Sequence, residues 1–267
     1  MKQLRRRLDA ELVRRGLAVS RDRAREAVVG GRVTVNGAVA QKAARLVLAG
    51  DALEVAGPPA RYVSRGGEKL EGALTAFGLD VAGLRCCDVG ASTGGFTDCL
   101  LQQGAAAVVA VDVGRAQMHE RLGGDPRVTS YERTDIRAVD PTGIGGPFEL
   151  VAADVSFISL TSVMARLAEL AVPGAPVVVL VKPQFEVGRP QASRGRGVIR
   201  DPRQWQGALD RVLDAAARAG LAPQSAAPSA LKGARGNVEF FLHLERGGRP
   251  APVDSSRVVA QAVAQGQ

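Results

Sequence analysis

The sequence has no apolar run near the ~20 residues that a membrane-spanning helix needs. Its first residues, Met1-Lys2-Gln3-Leu4-Arg5-Arg6-Arg7, are basic, but they lead into a charged amphipathic stretch rather than an apolar signal core. The expectation is a cytoplasmic protein with neither secretion nor stable membrane association. Cysteine is scarce: three thiols, with Cys86 and Cys87 adjacent in an apolar stretch, exclude a disulfide framework and fit core residues. Two histidines, His119 and His243, are too few and too scattered to suggest zinc, so no metal is expected. Net charge is also missing from most of the chain. Residues 51–267 are balanced at 23 basic and 23 acidic residues, whereas residues 1–50 hold 12 Lys and Arg against 4 Asp and Glu. The whole excess of +8 therefore sits in the first fifth, the footprint expected of a surface for a polyanion.

That basic segment has the pattern of a folded module. Leu4, Leu8 and Leu12 recur at helical spacing, with Arg5, Arg6, Arg7, Arg14 and Arg15 mainly on the other faces. Ser20 is placed to cap a second helix over 21–29, which Gly30 and Gly31 would stop. Asn36-Gly37 then joins two short β-prone runs as a hairpin signal. This order, with Arg21-x-Arg23-Ala24 and Val35-Asn36-Gly37, resembles the RNA-binding domain first seen in ribosomal protein S-four. The resemblance implies that Arg6, Arg7, Arg21, Arg23 and Arg25 meet RNA phosphates.

Gly57-Pro58-Pro59-Ala60 punctuates the chain. The expected domains are therefore residues 1–56, a linker at 57–64 and a larger domain at 65–267. In the latter, strand-like runs at 85–89, 106–112, 148–154 and 176–182 alternate with helical stretches at 96–103, 161–171 and 203–219. That is the signature of a mostly parallel sheet covered on both faces. Residues 238–244 suit a further, antiparallel strand, and 255–264 a short helix. The fold class expected is α/β, a Rossmann-like sheet preceded by a small α+β domain.

Asp88-Val89-Gly90-Ala91-Ser92-Thr93-Gly94-Gly95-Phe96 follows the first apolar run of that domain, and Asp112 ends the second. A glycine-rich turn lets backbone approach a ligand closely, and an acid one strand over can accept two ribose hydroxyls. A dinucleotide turn would place glycine where Ser92 stands, so the spacing favours S-adenosylmethionine, with Asp135 placed to meet its adenine. Asp154 and Lys182 end two further strands at the carboxyl edge, where ligands of open α/β sheets bind. Lys69 and Glu239, taken singly, read more readily as surface residues than as functional ones.

In the order Lys69, Asp154, Lys182, Glu239, these residues resemble the Lys-Asp-Lys-Glu tetrad of the FtsJ-like ribose 2′-O-methyltransferases. With the preceding module, the chain resembles the TlyA family of ribosomal RNA methyltransferases, also labelled hemolysin. The resemblance implies S-adenosylmethionine as cofactor, ribosomal RNA and ribosomal subunits of both sizes as partners, no DNA, a cytidine ribose as acceptor, and Lys182 as base, with Asp154 also touching the cofactor. A lysine serves as base only where burial and a second cation lower its proton affinity, and paired carboxylates oppose this. Cytosine C5 methylation would need a thiol beside proline, which Cys86, Cys87 and Cys99 lack, and amine methylation a Pro-Pro-aromatic run where Val155-Ser156 stands. Two rival readings stand beside it. One is a non-catalytic ribosome assembly factor, against which the intact tetrad argues. The other is a membrane-lytic protein, for which only the N-terminal helix would serve. Arg61, beside an aromatic Tyr62 where the family usually has tryptophan, and the loop arginines Arg189, Arg194, Arg196 and Arg200 complete the expected RNA contacts.

Overall fold

The computed structural model describes residues 5–57, 60–187, 197–233 and 236–266. The chain divides into two compact units, Met1–Ser64 and Arg65–Gln267.

In the first unit, helix α1 spans Leu8–Arg14 and α2 spans Arg21–Val29, with the Ser20 side chain accepting from the Arg23 N–H as cap. Leu8 and Leu12 of α1, Ala24 and Val28 of α2, and Val33 and Val35 close a small core. The helix expected from Leu4 onward begins only at Leu8. Arg5–Arg7 instead form strand β1, and Leu4 lies outside the described residues. The reason is tertiary: β1 pairs antiparallel with Leu46–Leu48 (β4), an extended partner 40 residues away that periodicity does not register. Val33–Val35 (β2) pairs with Ala38–Val39 (β3) across the Asn36-Gly37 turn, both of whose residues have positive φ, and with Leu53–Val55 (β5).

The second unit is built on a seven-stranded sheet. Its strands are Arg85–Val89 (β6), Ala107–Val111 (β7), Val128–Tyr131 (β8), Leu150–Ala153 (β9), Pro176–Val181 (β10), Leu221–Pro228 (β11) and Phe240–Arg246 (β12), in the order β11-β12-β10-β9-β6-β7-β8. Only β12 runs antiparallel to its neighbours. β9 and β10 are buried throughout apart from Pro176, as expected of strands covered on both faces, and each such Val or Leu contributes roughly 1.5–3 kcal/mol by leaving water. Helices Arg65–Phe77 (α3), Gly95–Gln102 (α4), Glu120–Gly123 (α5), Met164–Leu170 (α6), Pro183–Glu186 (α7), Pro202–Arg218 (α8) and Ser255–Ala264 (α9) complete it. Cys86, Cys87 and Cys99 are buried.

The edge strands β8 and β11 carry little sequence signal. β11 reads Leu-Ala-Pro-Gln-Ser-Ala-Ala-Pro, and the register shifts between Pro223 and Ser225. An edge position and a bulge are where a sheet tolerates proline. The feature that creates the site is the order around β6. The chain leaves β6 for β7 on one side and returns to β9 on the other, so the carboxyl ends of β6, β7 and β9 border a topological switch point.

Candidate active site

At that switch point lies a cleft of about 330 Å³. Gly90, which follows β6, has φ +86°, and a Cβ there would sit 2.4 Å from the Asp154 carbonyl oxygen. Only glycine lets the two strand ends approach so closely. The turn is pinned from below by Asp88, fully buried, whose Oδ2 accepts the Thr97 N–H at 2.9 Å and hydroxyl at 2.6 Å. From the side, Asp112 accepts the Ser92 N–H (2.8 Å) on Oδ2 and the Gly114 N–H (2.6 Å) on Oδ1. A carboxylate offers about four acceptor sites, so Asp112 keeps capacity for a diol. Gly94, at φ +91°, a backbone conformation that other residues rarely adopt, lies against the ends of the Leu122 and Met118 side chains.

Of the residues expected at the cofactor, Gly90, Ser92, Asp112, Asp135 and Asp154 line this cleft. Ala91, Thr93, Gly94 and Gly95 shape the turn, and Phe96 is buried with its ring 6.1 Å from Phe241. Asp135 is held by Arg137 in a two-pronged pair, which keeps its carboxyl at about 2. Sequence reasoning missed Val113, Gly114, Gln117, Ile136, Phe157 and Ile158, which also line the cleft. Only their positions just beyond Asp112, Asp135 and Asp154 would have signalled them. Three acids with an apolar lining suit S-adenosylmethionine, a cation with a flat heteroaromatic end. Asp112 is suited to its ribose, the backbone around Gly90 to close approach, and Ile136, Val113 and Ile158 to its adenine.

The tetrad residues come from four separate elements and form two ion pairs. Lys69, on α3, donates to Glu239 Oε2 at 2.5 Å, and both side chains are buried. Lys182, after β10, pairs with Asp154, after β9, and its Nζ donates to Ser156 Oγ at 2.8 Å. The β10–β12 ladder ends with Val181 opposite Phe240, so Lys182 and Glu239 are the next residues on adjacent strands. Gly233 covers the Glu239 carboxylate so tightly that a Cβ would fall 1.9 Å from Oε1.

The loop after β9 is fastened to the turn after β10. Glu186 of α7 accepts the Ser159 hydroxyl and the Leu160 N–H (2.8 Å), and burial pushes its carboxyl up from the usual range. Between these fastenings Phe157 has φ +67° and is 90% exposed, 5.4 Å from the Phe185 ring. An exposed aromatic in a left-handed conformation beside Lys182 is an open stacking surface, costly for the fold alone.

In the first unit, Arg6, Arg7, Arg21 and Arg25 are about half exposed. Arg23 is only 11% exposed and turns inward to Glu26 and the Tyr62 carbonyl. Arg61 is exposed with its guanidinium over the Tyr62 ring. Arg200 is exposed, while Arg189, Arg194 and Arg196 lie outside the described residues. Among the described residues, no helix is long and apolar enough to cross a membrane.

Comparison with known proteins agrees with this geometry. Residues 62–246 match the FtsJ-like methyltransferase family, and residues 6–53 match the S4 domain. The chain is 49% identical, over 89% of its own length and 89% of the relative's, to the 16S/23S rRNA (cytidine-2'-O)-methyltransferase TlyA of Mycobacterium tuberculosis. It is 37% identical to Hemolysin A of Brachyspira hyodysenteriae, over 89% and 98% of the two chains. A solved structure from Streptococcus thermophilus, described as a hemolysin, superposes with a TM-score of 0.79 at 40% identity, covering 98% and 96%.

Proposed function

The chain belongs to the FtsJ-like methyltransferase family, with an S4 domain ahead of the catalytic fold, and from that premise we propose that it methylates the ribose 2′-hydroxyl of a cytidine in ribosomal RNA. The cofactor is S-adenosylmethionine, which when bound supplies an electrophilic sulfonium methyl. The observation that carries the reading is the tetrad itself: Lys69 of α3 with Glu239, and Lys182 with Asp154, two ion pairs in which Asp154, Lys182 and Glu239 flank neighbouring strand ends and Asp154 lines the cleft.

A ribose hydroxyl is a weak acid, so its methylation depends on alignment and proton removal rather than on a covalent intermediate. Lys182 Nζ is the group we place at the 2′-oxygen: its ammonium, paired with Asp154, first gives one proton to solvent, and the neutral amine then takes up the hydroxyl proton. Asp154 and Ser156 fix that amine's position. Lys69 and Glu239, a buried pair, hold the far wall of the acceptor site. Phe157 offers a face on which a base drawn out of its helix stacks, a contact worth about 1–3 kcal/mol per base. The identity to a relative named for both 16S and 23S RNA supports both ribosomal subunits as substrates and the cytoplasm as the place of action.

The test is transfer of a tritiated methyl group to isolated ribosomal subunits, with the label mapped by primer extension at low nucleotide concentration. Label on a ribose, reduced by about a hundredfold or more in Lys182→Ala with cofactor affinity kept, is the expected result. Full activity in the variant would remove Lys182 as the base. No label on either subunit or on whole ribosomes would point to an RNA-binding assembly role instead.

A further inference from the structure

Six arginines of the N-terminal unit are not equivalent, because two buried carboxylates divide them. Glu11, 1% exposed, takes Arg14 and Arg15 in short hydrogen bonds, with Arg6 at 3.9 Å. Arg15 continues to the backbone carbonyls of Ala49 and Asp51, so this set ties α1 to the loop after β4. Asp9, fully buried, gathers the other three. Arg7 meets it in a two-pronged pair, Nε to Oδ1 at 3.1 Å and Nη2 to Oδ2 at 2.9 Å, Arg21 Nη2 reaches Oδ2 at 3.2 Å, and Arg25 Nε reaches Oδ2 at 3.3 Å. Arg7 comes from β1, while Arg21 and Arg25 are one turn apart on α2. The three therefore converge from two elements onto one carboxylate.

This arrangement has more cation than its own fold uses. Three guanidiniums face two carboxylates, Asp9 and Asp22, the latter taking Arg25 Nη1. Each arginine stays 45–50% exposed although its carboxylate partner is inaccessible. Arg21 commits only one terminal nitrogen, leaving its other donors directed elsewhere. A carboxylate beneath a triad of half-exposed forks holds their charge together against mutual repulsion and fixes their planes before any ligand arrives. The group that fits such a triad is a phosphodiester, an anion with two non-bridging oxygens that each accept more than one N–H.

We propose that Asp9 is a positioning residue that organises Arg7, Arg21 and Arg25 into a preformed cradle for the RNA backbone. The proposal rests on the RNA-acting reading above and adds to it which arginines grip phosphate and what holds them.

The sign of one substitution tests it. Asp9→Asn keeps an acceptor for the Ala10 N–H and removes a negative charge, so charge alone would tighten RNA binding. A cradle predicts the opposite: about tenfold weaker binding of full-length protein to folded ribosomal RNA, the loss expected when hydrogen bonds to a charged group lose their geometry. Affinity for S-adenosylhomocysteine would stay unchanged. Unchanged or tighter RNA binding would overturn the cradle. Should Asp9→Asn fail to fold, Arg21→Lys and Arg25→Lys keep charge while losing the planar fork. Each is expected to weaken binding several-fold, whereas Arg14→Lys, in the Glu11 set, is not. Equal effects in all three would overturn the proposal, and a wild-type protein that binds no ribosomal RNA would instead overturn the functional reading beneath it.

Discussion

Asp88 shows how a single residue beneath the cofactor turn couples geometry to protonation. Burial pushes its carboxyl up to about 7, against the lowering effect of the two hydrogen bonds from Thr97, while its Oδ1 has no partner among the described residues. The folded chain then keeps a proton that the unfolded chain, at 3.8, has already lost. Stability is expected to fall as pH rises from about 4 to about 7 and to level above that. Asp88→Asn removes this slope, so its urea midpoint should gain on the wild type across that window. Parallel curves would show that Asp88 is charged throughout. The sequence marks the residue as the start of the glycine-rich turn and so points it towards the cofactor. Its role as the buried post under that turn became visible only with Thr97, nine residues away, folded back onto it.

At the scale of elements, the working unit is the pair of strand ends carrying Asp154 and Lys182. Neither turn is held by its own backbone alone. Glu186 at the end of α7 fastens residues 159–160 to the turn that bears Lys182, and so sets where both halves of the ion pair lie. Glu186→Gln keeps the size and one acceptor but weakens the grip on both donors. We expect the single-turnover rate to fall by about tenfold with the melting temperature little changed, because small misplacements of reacting groups are costly. An unchanged rate would show that the two turns hold their positions independently. Elements with strong periodicity, such as β10 and the amphipathic α8, were readable from the chain. The two edge strands and β1 were not. β1 is three arginines, β11 is rich in proline and alanine, and β8 is only four residues long, so only a pairing partner makes them strands.

For the whole molecule, charge and fold are partitioned together. The unit Met1–Ser64 carries the charge excess, while the larger unit, nearly neutral, holds the acid-lined cleft. Ionic strength should therefore act on one function and spare the other. Raising salt is expected to weaken ribosomal RNA binding with a log–log slope of about 0.7–0.9 per phosphate contacted, while cofactor affinity changes little. Filter binding and calorimetry over the same salt series would check this, and equal salt sensitivity of both would contradict the partition.

What the sequence determined by itself was whatever is local: the Asn36-Gly37 hairpin, the Ser20 cap, the apolar runs of the central strands, the glycine turn and the order of the tetrad. These depend on the conformational preferences of neighbouring residues and on periodicity, which a linear chain displays. The tertiary structure alone decided that Lys69 meets Glu239 across 170 residues, that Glu186 joins two turns, and that Asp9 and Glu11 sort the arginines into two sets. Such contacts rest on buried charge finding a partner from another element. No local preference encodes that partner, because the desolvation that makes the pairing necessary exists only once the chain has folded around it.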